Sequence, residues 1–150
     1  MPAFIKEIIT DPKSLKQQCQ SIRKLVANEL LDEIVISLID TYNANMLKCV
    51  GLSANQIGYQ SRIILVRLKT NFVIMINPEV IPSLMHGLIT KKETCLSYPD
   101  KITRVKRYKR ITVSYAPYAK TVVPRLTHTF TGIEARIIQH EIDHINGVNI

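Results

Sequence analysis

The chain is 150 residues long, 46% hydrophobic and 21% charged, with a formal net charge of +8. These are ordinary values for one globular domain with a buried core, here a single domain over 1–150 with no internal repeat, low-complexity tract or Gly/Ser linker. No apolar run reaches the ~18–20 residues of a membrane span, and MPAFIKEIITDPKSL lacks a signal-peptide pattern, so a cytosolic location and no membrane partner are expected.

The first strong periodic segment is NELLDEIVISLIDTYNANMLK, residues 28–48. Leu30, Leu31, Ile34, Leu38, Ile39, Tyr42 and Met46 recur at helical spacing, which predicts one long amphipathic helix. Asn28 is its expected N-cap, with Asp32 and Glu33 near the positive end of the dipole. After Gly58 the pattern turns to β-branched runs between turn formers: 62–68, 72–80, 88–97 and 110–116. Residues 121–130 add another strand, with Pro124 favouring an edge or a bulge. TGIEARIIQHEIDHI, 131–145, returns to helix, and Thr131 with Glu134 reads as a capping box. Ile133, Ile137, Ile138, Glu141 and His144 are expected on one broad side of it. The order of elements predicts an α+β fold: a long N-terminal helix, mostly antiparallel sheets and a C-terminal helix packed on them.

The charge is concentrated. KITRVKRYKR, residues 101–110, carries six of the 20 basic side chains and no acid. Such a stretch suits an anionic partner such as nucleic acid or a ribosome surface; the plainer reading is a solvated strand face. Cys19, Cys49 and Cys95 are odd in number and irregularly spaced, which does not describe a disulfide framework. Cys19 and Cys49 read as small buried hydrophobes.

The chemistry is concentrated in QHEIDH, 139–144. Residues four apart on a helix lie one above the other, so His140 and His144 present their imidazoles to one point. Glu141 is one step round from His140, within reach of a water on a metal held there. Asp143 could orient a neighbouring group or be a surface acid. A catalytic site of this kind takes three protein ligands, and after His144 this sequence offers only the weak candidates Asn146 and Asn149. The candidates upstream are Cys95, Cys49, Cys19, His86, His128 and the carboxylates. Cys95 differs from the other cysteines in ending a strand just before the polar turn Ser97–Asp100, where a thiolate could close the triangle.

Three segments in order, CVGLSANQ (49–56), ETCLS (93–97) and QHEIDH (139–144), resemble the motifs GxGLAAxQ, EGCLS and QHExDH of the peptide deformylases. The likeness spans nearly the whole chain. It implies that Cys95, His140 and His144 hold one divalent metal, natively iron(II), with zinc, nickel or cobalt able to substitute. It implies Glu141 as general base and acid, and Gln56 with the backbone N–H of Leu96 as donors to the oxyanion. Val50, Gly51 and Thr94 would line the substrate strand, and Ile137 would wall a methionine pocket. The reaction implied is removal of the formyl group from N-terminal formylmethionine of nascent polypeptides, with release of formate, by a monomer. Hydrolysing a formamide needs an activated water, a Lewis acid on the carbonyl and donors aimed at the tetrahedral oxygen, which this residue set provides. The thiolate would make the site sensitive to oxidants.

The chain departs from those motifs at Cys49 and Thr94, where glycines are expected, and at Ser53, where alanine is. It also lacks the segment that usually follows the last motif. Short forms of this kind resemble bacteriophage-encoded deformylases, which makes host cytoplasm the expected location. Two rivals stand beside this reading: a peptide-bond-cleaving metalloprotease, disfavoured by ETCLS, and a non-catalytic ribosome- or RNA-binding module supported by 101–110 alone.

Overall fold

The computed structural model describes residues 4–148. Its elements are a one-turn helix α1 (Pro12–Leu15), the long helix α2 (Glu29–Ala44), strands β1 (Gly51–Ser53), β2 (Ile63–Arg67), β3 (Phe72–Val80), β4 (His86–Cys95), β5 (Tyr98–Ala116) and β6 (Leu126–Thr131), and helix α3 (Gly132–Ile145). The strands form one antiparallel sheet in the order β1-β2-β3-β5-β4, with β6 paired to β5.

The centre of the sheet is covered on both faces, which explains the near-continuous apolar run in β2. Its Ile63 and Leu65 pack toward α2 with Leu31, Ile34, Leu38 and Leu52. Its Ile64 and Val66 pack the opposite way with Ile138, Ile142 and Ile145 of α3. Alternation along one strand therefore ties both helices to the same sheet. At β3 the ladder to β5 slips between Ile76 and Glu79. Asn77 sits at that irregularity with φ 50, a region Asn enters more readily than most residues. Its side chain bonds the backbone N–H and C=O of Ile22, which ties the N-terminal segment to the sheet.

α2 begins at its expected cap, with the Asn28 side chain accepting from Leu31 N–H. It stops at Ala44 rather than Lys48, because Asn45 caps it and the backbone turns through Lys48 and Cys49 back onto the Asn45 carbonyl. The basic stretch is part of β5, which runs 19 residues and is much longer than the strand expected over 110–116. The turn before it is tighter than Ser97–Asp100: only Leu96 and Ser97 separate the paired residues Cys95 and Tyr98. β6 starts at Leu126, beyond Pro124, and pairs only with β5. The capping box at α3 does not form. Thr131 closes β6 and makes no side-chain cap bond, while the Glu134 carboxylate accepts from the Lys69 N–H. The residues expected on one side of α3 divide as well: Ile138 enters the core, whereas Ile133, Ile137 and Glu141 border a cleft.

Candidate metal centre

The cleft, about 320 Å³ in volume, is bounded by the turn entering β1, the end of β4 and the exposed side of α3. Behind it, α3 stacks His140 and His144 with ring centroids 4.8 Å apart. β4 delivers Cys95 from the other wall. Its Sγ lies 3.2 Å from His144 Nε2, and the two Nε2 atoms are 3.1 Å apart. All three donor atoms lie within 4.8 Å of one another, and all three residues are buried. Metal–nitrogen bonds of ~2.0–2.1 Å and metal–sulfur bonds of ~2.3 Å at tetrahedral angles place such donors a little over 3 Å apart, so the set fits a metal ion.

Each member is held by its surroundings. The His140 Nδ1 lies 2.9 Å from Glu93 Oε1, which leaves Nε2 for a metal. Glu93 is gripped in turn by Arg107, whose Nε and Nη2 donate at 3.0 and 2.8 Å, while Nη1 reaches Asp143 on α3. The His144 carbonyl accepts from Asn55 Nδ2 at 2.7 Å. Gln56 is oriented by its own turn: Oε1 accepts from Ser53 N–H at 3.0 Å. Its Nε2 therefore points at Cys95 Sγ (3.4 Å) and Ser97 Oγ (3.1 Å). Ser53, where the motif has alanine, adds a hydroxyl within 2.7 Å of Asn55 Oδ1 and 3.0 Å of Gln56 Oε1.

The electrostatics favour a cation. Burial disfavours charge on both histidines, yet the hydrogen bonds that His140 donates to Cys95 and Glu93, with the nearby Glu141 charge, push it up to about 10. Burial and the His140 charge hold His144 down to about 3. One proton thus resides on the histidine pair, on His140, and it would have to leave before both Nε2 atoms could ligate an ion. Glu93 is also buried, but His140 and Arg107 overcome that and hold its carboxyl at about 2. Glu141 behaves oppposite to Glu93: burial lifts it to about 7 against the pull of His140 and Arg107. Its Oε1 is buried with no hydrogen-bond partner among the described residues. A carboxylate near neutrality, aimed into a cleft, is suited to taking and returning a proton.

The structure brings the sequence-predicted residues together. Val50, Gly51, Gln56, Thr94, Cys95, Leu96, Ile137, His140 and Glu141 all border the cleft, with His144 fully buried behind them. The other candidate ligands lie elsewhere. Cys19 faces Gln60, His128 meets Tyr115 Oη, and His86 starts β4 opposite Arg110. Cys49 borders the cleft outside the trio. Sequence reasoning missed Glu93 and Arg107. Arg107 is 4% exposed and belongs to this network, not to a basic surface. The available signal was parity: Thr103, Val105 and Arg107 alternate with exposed Ile102, Arg104 and Lys106 along β5.

A cysteine sulfur, two imidazoles and a buried carboxyl group at one cleft have the make-up of a hydrolytic metal centre. The polypeptide deformylase family model matches residues 5–150. The chain is 35% identical to the peptide deformylase of Clostridium beijerinckii over 147 residues, covering 98% of this chain and all of that one. It is 35% identical to that of Dictyoglomus thermophilum, over 98% and 91% of the two chains. Among solved structures, Thermotoga maritima peptide deformylase superposes with a TM-score of 0.81 at 29% identity, covering 97% and 92%. The actinonin-bound class I type b enzyme of Acinetobacter baumannii gives 0.83 at 26%, covering 97% and 94%. The chain belongs to the polypeptide deformylase family.

Proposed function

We propose that this chain removes the N-formyl group from the N-terminal formylmethionine of nascent polypeptides and releases formate. The observation that carries this reading is the Cys95–His140–His144 trio with the buried Glu141 beside it at one cleft. Cys95, His140 and His144 would hold a divalent metal, iron(II) in the native enzyme and zinc, nickel or cobalt in its place. Bound there, the ion supplies Lewis acidity to the formyl carbonyl and to the attacking water.

The remaining steps fall to the chain itself. Glu141 takes the proton of the attacking water and returns a proton to the departing amine, a role suited to a carboxyl that burial raises to about 7. The Gln56 amide and the Leu96 N–H donate to the oxygen that becomes negative. β1 is an end strand of the sheet, so an extended peptide can run along Val50 and Gly51 and past Thr94. Gly51 keeps that approach narrow: a Cβ there would lie 2.8 Å from Glu141 Oε2 and 3.1 Å from Ile137 Cγ2. Ile137 walls the pocket for the flexible methionine side chain.

No described helix is long and apolar enough to cross a membrane. Action on nascent chains in the cytoplasm, as a monomer, completes the proposal. The partner at the ribosome would meet the exposed cations of β5, Lys101, Arg104, Lys106, Lys109 and Arg110. The test is to incubate formyl-Met-Ala-Ser and its unformylated form with metal-loaded protein and analyse both by mass spectrometry. Formate and intact Met-Ala-Ser are expected from the first and no change in the second. Cleavage of peptide bonds in either would support the metalloprotease reading and overturn this one.

A further inference from the structure

The mouth of the cleft carries charge of one sign. Lys48, in the turn after α2, and Lys92, on β4, are both exposed and border the cleft from different elements, and Arg136 of α3 borders it too. Across the ladder from Lys92 stands Arg104, a like-charged pair that gains from a nearby anion. The cleft also contains two acids: Glu93 comes within 3.9 Å of Arg136, but among the described residues neither acid pairs with Lys48 or Lys92. Glu93 is spent on Arg107 and His140, and Glu141 is buried against the metal trio. An extended peptide advances ~3.3 Å per residue, so the two residues after a methionine seated in the cleft lie at its mouth.

We infer that the cations Lys48 and Lys92 at the cleft mouth select nascent chains carrying an acidic side chain at the second or third position. The inference rests on the deformylase reading of the site and adds a substrate class to it. Exposed charge pairs are each modest, so two of them amount to about a 3- to 10-fold preference, expressed mainly in KM because they act on substrate and transition state alike.

The test compares kcat/KM for formyl-Met-Asp-Ala, formyl-Met-Asn-Ala and formyl-Met-Lys-Ala, and for formyl-Met-Ala-Asp and formyl-Met-Ala-Lys. All are C-terminal amides, so that no terminal carboxylate competes. At low ionic strength Asp is expected over Asn and Asn over Lys, with the spread collapsing toward unity at ~0.5 M salt as screening sets in. Lys48→Glu/Lys92→Glu is expected to invert the order. Only the ratio between peptides is read, so a general loss of activity in the variant does not affect it. Equal kcat/KM for the Asp and Lys peptides at low salt, or a ratio unmoved by the double reversal, overturns the inference. Absence of formate from every peptide overturns the deformylase reading instead.

Discussion

Arg107 on β5 donates from Nε and Nη2 to the two carboxylate oxygens of Glu93 on β4, and Glu93 in turn meets His140 Nδ1. The guanidinium also bonds Asp143, so one buried cation joins the ribbon of β4 and β5 to helix α3 at the level of the Cys95–His140–His144 trio. Removing one partner of a buried ion pair leaves the others uncompensated, which costs about 3–5 kcal/mol. Loss of a group that orients a ligand weakens metal binding by about 10–100-fold. Arg107→Ala is therefore expected to lower both the denaturation midpoint and the metal affinity measured by competition with a chelator. Lys106→Ala, one residue away and exposed, should change neither.

Gly51 is where the first motif touches the last. A Cβ at this position would press on Glu141 Oε2 at 2.8 Å and on Cγ at 3.0 Å. A side-chain end can yield, so Gly51→Ala should fold and bind metal, but with the carboxylate displaced. A misplacement of about 1 Å in a reacting group can cost ~100-fold in rate. The expected outcome is a fall of that order in kcat, with metal content by elemental analysis unchanged.

Cys19 lies far in sequence from the trio, and burial pushes its thiol up to about 11, partly opposed by Arg62. A group raised on folding contributes stability that is full below its ordinary value of about 9 and is lost as pH rises toward 11. Urea midpoints should accordingly fall between pH 9 and 11, and fall less in Cys19→Ala. At pH 8 the native Cys19 should react with a thiol reagent far more slowly than in the unfolded chain.

Charge reversal at Arg104, Lys106, Lys109 and Arg110 should reduce co-sedimentation with ribosomes and leave the fold intact, since all four side chains are exposed. Unchanged co-sedimentation would remove the ribosome from the proposal. Arg107 does not belong in that set, because reversing it would break the ion-pair network instead.

The histidine pair was legible because helical spacing alone aligns His140 with His144, whereas Cys95 stood among several candidates until the likeness of ETCLS to a family motif singled it out. Gln56 and Glu141 followed from their motifs. The network behind them was not legible. Whether Arg107 points inward depends on the register of β5 against β4, and that ladder itself slips between Glu93 and Cys95. The Thr131–Glu134 pair misled for a similar reason. A capping box is a local pattern, and Glu134 was drawn away by the backbone N–H of Lys69, distant in sequence. α2 was readable from its helical periodicity and β2 from its β-branched run, whereas the end of α2 was decided by Asn45, which a helical pattern continuing to Met46 conceals.

The central claim is that Glu141 moves the proton while Cys95, His140 and His144 hold the metal. The most direct measurement is formate release from formyl-Met-Ala-Ser by anaerobically purified iron(II) protein or nickel-loaded protein, for the wild type and Glu141→Gln, with bound metal quantified in both. Turnover by the wild type, and its collapse by about 100-fold or more in Glu141→Gln with metal retained, is the predicted result. Undiminished formate release by Glu141→Gln, or by Cys95→Ala, would contradict it.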